Sequence, residues 1–166
     1  MFYKISDFRK EWEYESQATL KMMSNLTDAS LAQPVVPEGR TLGFIAWHIT
    51  VSLGEMLMRA GLKAEGPAED APMPESAAEI RGIYELAARS VLEQVSNNWN
   101  DATLLEVVDM YGEQWANGVT LDVLIRHQAH HRGQMSVLMR QAGLLVPGVY
   151  GPAKEEWAQW GMAPAK

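Results

Sequence analysis

Four histidines carry the most suggestive chemistry in this chain: His48 stands alone, whereas His127, His130 and His131 share one short run, HQAHHRGQ. Imidazole is the commonest metal ligand and titrates near neutrality, so what matters is which of the four can face one another. A helix turns about 100° per residue, which sets His127 and His131 only about 40° apart on one face, one turn above the other. His130 then points to the opposite side, with Arg126 and Gln141. Two imidazoles on one helix make an incomplete ligand set. A third from a neighbouring helix, His48, would complete a three-histidine site with positions left open for water or substrate. Spacing alone is weak support, because four histidines in a chain of this length place one pair four apart by chance in roughly 7% of cases. A lone histidine on a half-buried helix face is more often a satisfied structural residue, so these residues leave a metal centre and a structural role both open.

Around the histidines, Glu55, Asp109 and Glu113 are candidate proton shuttles, but no spacing singles one out and each also reads as part of a solvated face. Arg132 and Gln134 flank the ligand pair and either orient the imidazoles or cap the surface. The chain has no cysteine, which removes disulfides, a cysteine nucleophile and thiolate ligands, so any thiol must come from a substrate. The ten methionines and six tryptophans fall at helical spacing and read as core filling.

The elements that would position these groups are helices. Phe8, Trp12, Thr19, Met22, Met23 and Leu26 recur at helical spacing behind Ser6, a candidate N-cap, and the pattern fades near Asn25 to Asp28. AQPVVPEGR is a loop, after which Thr41 caps a second helix that runs toward Ala60 and stops at Gly61. The second helix carries His48 on the flank of its apolar stripe, above a polar seam of Ser52, Glu55 and Arg59. Residues 61–75 read as a mobile surface linker. Ser76 and Glu79 match a capping box, and Ile80 to Trp99 trace a third helix. Residues 101–118 read either as an irregular loop or as a small hairpin around Tyr111-Gly112. Thr120 is the candidate cap of a fourth helix that Gly143 ends. The tail packs through Val149, Tyr150, Trp157 and Trp160, with a short last helix near Glu155. The pattern predicts one all-α domain over residues 1–166, a four-helix up-down bundle with a short C-terminal extension.

Bulk properties exclude some functions. With 166 residues, 47% of them hydrophobic, the chain can bury one core. A net charge of −7 offers no cationic footprint for phosphates, which argues against nucleic-acid binding. The most apolar stretch, Thr41 to Met58, holds His48 and Glu55 and falls short of a membrane span, and the charged N-terminus predicts a cytoplasmic protein.

HQAHHRGQ followed by LMRQAG resembles the histidine signature of the DinB/YfiT-like family, named for DNA-damage-inducible expression. GFIAWHITVSLGE matches that family's second-helix histidine, and the tail VPGVYGPAKEEW is similar to that of one bacterial branch. The resemblance implies a four-helix bundle, often a homodimer, with one divalent metal, nickel or zinc, held by His48, His127 and His131. It further implies a small-molecule substrate, with transfer of a low-molecular-weight thiol ahead of two alternatives, a metal-dependent hydrolase and a non-catalytic metal-binding stress protein. A sister family containing a thiol-dependent isomerase has Glu where this chain has His127, a departure from the isomerase pattern.

Overall fold

The computed structural model describes residues 1–163. It is mostly helical, with four long helices, α1 (Ile5–Met23), α2 (Leu42–Arg59), α3 (Ala77–Asn98) and α4 (Asn117–Gln141). A two-stranded antiparallel sheet, β1 (Val107–Met110) with β2 (Glu113–Ala116), precedes α4. Three short 3₁₀ turns complete it, at Asp28–Ala32, Thr103–Leu105 and Trp157–Trp160. No helix among the described residues is long and apolar enough to cross a membrane.

One core joins the four helices. Phe8 and Trp12 of α1, Ile45, Ile49 and Leu53 of α2, Ile80, Tyr84 and Val91 of α3, and Leu121, Leu124, Met135 and Met139 of α4 are all buried in it. Each large apolar side chain removed from water contributes about 1.5–3 kcal/mol against the entropy of ordering the chain. The main helix contacts run α1–α3, α3–α2, α2–α4 and α4–α1. Consecutive helices α1 and α2 therefore lie across a diagonal, as do α3 and α4. This corrects the expected up-down order, in which chain neighbours sit side by side. The connections over residues 24–41 and 99–116 are long enough to cross the diagonal, as in bundles with crossover loops. The practical result is that α2 and α4, which carry the histidines, become neighbours.

The hairpin is the second correction to an all-α reading, and it settles the choice left open for residues 101–118. Met110 pairs with Glu113, and both turn residues between them have positive φ, 59° at Tyr111 and 84° at Gly112. That is the signature of a type I′ turn, whose twist matches the flanking strands.

Helix starts also differ from expectation in two places. The N-cap of α1 is Lys4 rather than Ser6, and the first helical amide, on Ile5, donates to the Asp101 carboxylate at 2.9 Å. A side chain 96 residues away thus does the work a local cap would do. Helix α4 begins at Asn117, so Thr120 is a buried first-turn residue and not its cap. The hairpin feeds the chain directly into the helix, and the Phe2 backbone crosses at Gly118, its N–H donating to the Gly118 carbonyl at 3.0 Å. A β-carbon on Gly118 would collide with the Phe2 carbonyl.

The remaining punctuation agrees with the sequence. Thr41 and Ser76 accept from Phe44 and Glu79 amides, and Gly143 closes α4 at φ 74°. Residues 61–75 carry no regular element, and their Glu65 amide and Ala71 carbonyl bond to Ser90 and to the Trp47 indole. In the tail, Val149 packs on the core, whereas the Tyr150 ring is exposed and only its hydroxyl reaches inward. Trp157 is half-buried, and the side chain of Trp160 lies outside the described residues.

Candidate metal centre

The packing of α2 on α4 brings His48, His127 and His131 into one cluster whose candidate ligand nitrogens all lie within 4.8 Å of one another. His127 Nε2 stands 3.1 Å from His48 Nε2 and 3.1 Å from His131 Nε2. For metal–imidazole bonds of about 2.05 Å, nitrogens 3.1 Å apart subtend about 98° at the ion, between the octahedral and tetrahedral angles. Helical spacing produces the His127–His131 contact, and the diagonal topology supplies His48. His131 is buried, with 4% of its surface exposed, while His48 and His127 are half-buried.

Hydrogen bonds fix the tautomers. His131 Nδ1 lies 2.7 Å from Gln134 Oε1, an acceptor, so Nδ1 carries the proton and Nε2 a bare lone pair. The Gln134 amide nitrogen faces His130 Nε2 at 3.1 Å and donates to it when that nitrogen is bare, the arrangement in which Oε1 accepts from His131. Ser52 donates its hydroxyl proton to the Ile49 carbonyl at 2.9 Å and can then only accept from His127 Nδ1, 3.4 Å away. His127 Nε2 is bare for the same reason. His48 Nδ1 has no such partner among the described contacts, so His48 is free to place a proton between itself and His127. No proton remains for the His127–His131 contact, where two lone pairs face each other at 3.1 Å. A cation placed between them resolves that contact.

Electrostatics keep the rings neutral. Burial pushes His127 down to about 4, assisted by the neighbouring imidazoles. Burial also lowers His48 and His131 from their usual value, with Arg40 lowering both further. The Glu55 carboxylate opposes this at His48 and His127. Neutral imidazole is the form in which a histidine ligates a metal.

The other sequence candidates separate cleanly. His130 stays out of the cluster, its exposed ring touching Gln134. Gln134 is the residue that orients His131. Arg132 does neither of the things expected of it: it is buried on another face of α4, paired with Glu15. Asp109 and Glu113 serve the hairpin, accepting from the Gly112 amide and the Trp115 indole. Of the three carboxylates only Glu55 adjoins the cluster, and it is held by Arg59 and by the Tyr111 hydroxyl at 2.7 Å. Ser52 was visible in the sequence only as part of a polar seam, and its role needed the position of His127.

The fold and this cluster define a helical protein with a three-imidazole group of a kind that could hold a metal ion. The chain belongs to the DinB family, whose model matches residues 1–162. It is 47% identical over 166 residues, 100% of its length and 99% of the relative's, to the uncharacterized protein YrdA of Bacillus subtilis. A crystal structure of a DinB-like protein from Bacillus cereus superposes with a TM-score of 0.87 at 45% identity, covering 90% of this chain and 100% of that one. A second DinB-like protein, from Bacillus subtilis, shares the fold at 13% identity, with a TM-score of 0.66 over 82% of this chain and 92% of its own.

Proposed function

We propose that this protein is a divalent-metal-dependent enzyme in which His48, His127 and His131 hold one ion, nickel or zinc, and that it transfers a low-molecular-weight thiol to an electrophile. The observation that carries the metal reading is the pair of bare Nε2 lone pairs facing each other at 3.1 Å, with both Nδ1 protons committed elsewhere. Such an arrangement is unfavourable without a cation and ready-made with one. Among the described residues the cluster has three candidate ligands and no fourth, the pattern of a catalytic rather than a closed structural site. A divalent ion there supplies Lewis acidity that lets a thiol ionise at neutral pH. The chain's own residues do the rest. Gln134 and Ser52 hold two imidazoles in the ligand tautomer, Phe44 stacks on His48 with ring centroids 6.1 Å apart, and Glu55 places an acceptor beside the cluster. Thiol transfer is favoured over hydrolysis because the chain lacks cysteine and so cannot form a mixed disulfide with its own substrate.

Elemental analysis of protein purified without a chelating tag should find about one divalent ion per chain, and His131→Ala should lose it. With zinc or nickel loaded, conjugation of small thiols to a chlorinated aromatic or an epoxide should exceed ester hydrolysis. Equal conjugation rates from the native and His131→Ala proteins would end the thiol-transfer reading.

A further inference from the structure

The larger cavities lie away from the histidines. One of about 440 Å³ separates α4 from the tail, and one of about 540 Å³ lies under residues 61–75. A smaller cavity, about 250 Å³, meets the centre through Gln134. Its lining includes Gln134, which holds His131, and Arg40, whose guanidinium lies 5.0 Å over the Phe44 ring that in turn stacks on His48. The remaining surface is mainly apolar, from Val35, Ile45, Val137 and Leu138. Among the described residues no carboxylate pairs with Arg40. On the other flank of the centre, Glu55 is already neutralised by Arg59. Among the described residues, Arg40 is the one charged residue in the lining of this cavity.

We propose that the substrate of the three-histidine centre is a small carboxylate whose apolar body fills the Val35–Val137 cavity and whose carboxylate is received by Arg40. The inference rests on the metal-centre reading above and adds the substrate class. A volume below the roughly 300–1,000 Å³ of drug-sized sites limits the body to a small ring or a short branched chain. Guanidinium takes a carboxylate in a two-pronged hydrogen bond, and the Phe44 ring packs against the Arg40 guanidinium at 5.0 Å.

Benzoate, benzamide and benzylamine, isosteres that differ in charge, are titrated by ligand-observed NMR into zinc-loaded and metal-free protein. Benzoate should bind best. Arg40→Gln should weaken it about fivefold, the upper range for an exposed ion pair, with Arg40→Lys in between. Val137→Trp, which fills the cavity, should weaken benzoate and benzamide alike, and circular dichroism confirms that each variant is folded. Benzoate affinity unchanged in Arg40→Gln, or benzamide bound as tightly as benzoate, overturns the proposal while leaving the metal centre intact. A change of sedimenting mass in Val137→Trp also overturns it, because a second copy of the chain would then cover this face. Should no metal be retained while benzoate binding to metal-free protein still depends on Arg40, the metal reading fails and the carboxylate site stands.

Discussion

Helix α4 carries two buried polar clusters on different faces, and they are built to opposite specifications. On one face Arg132 and Glu15, each with 3% of its side chain exposed, form an ion pair that nearly completes itself. The guanidinium also donates to the Glu15 carbonyl at 3.0 Å and to Thr19 Oγ1 at 2.9 Å, and the Tyr150 hydroxyl donates to the Glu15 carboxylate at 2.8 Å. Only Arg132 Nε is left without a partner. On the other face three imidazoles converge, with the Nδ1 protons of His127 and His131 spent outward and their Nε2 lone pairs turned inward. The first cluster joins α1, α4 and the tail into one unit. The second leaves two lone pairs facing each other with no proton between them. Saturated polar networks inside a fold report structure, and unsaturated ones of matched polarity report a ligand.

The comparison breaks most visibly through stability. Arg132→Ala strands a buried carboxylate and should lower unfolding free energy by about 3–5 kcal/mol in a urea titration, while the folded fraction keeps its metal. The double variant Glu15→Leu, Arg132→Met should recover most of that loss. His127→Ala should do the converse, with metal affinity falling at least about a hundredfold, because one of three protein ligands is gone. Metal-free His127→Ala should unfold within about 1 kcal/mol of the native protein, since the half-buried ring gives up only its His48 and Ser52 contacts and the facing lone pairs are relieved. A large loss of stability in that variant would make the two clusters alike and remove the contrast.

Smaller effects sharpen the distinction. Gln134→Leu frees the His131 tautomer and should weaken metal binding about 10- to 100-fold, read by competition with a chromogenic chelator. Acidification acts on the histidine cluster. His127 has a folded value near 4 against an ordinary 6.5, so the unfolded chain takes up its proton first. The metal-free protein should therefore lose stability as pH falls from about 6.5 toward 4, and His127→Ala should flatten that part of the melting-temperature profile. The smallest effect belongs to His130→Ala, which should leave metal content unchanged, since that ring lies outside the cluster.

Much of this was legible locally. Helix existence followed from 3.6-residue periodicity, and the Thr41 and Ser76 caps and the Gly143 stop from short-range turn chemistry, so each could be read without knowing where the chain goes next. The stacking of His127 on His131 belongs to the same class, being a property of one helix. What failed did so where a distant segment intervened: Asp101 capping α1, the hairpin and Phe2 displacing the expected start of α4, and Glu15 capturing Arg132 from 117 positions away.

The sequence by itself determined four helices, their apolar faces, a pair of imidazoles one turn apart and an absence of thiols. Tertiary structure alone decided that α2 lies against α4, which turns the pair into a trio, and that Ser52 and Gln134 point its lone pairs inward. It also decided which arginine is structural, Arg132, and which one, Arg40, has no carboxylate partner among the described residues. The physical reason is range: helix formation and capping are settled within a few residues, whereas a tautomer, a buried charge pair or a cavity wall is settled by whichever groups packing brings within about 3 Å.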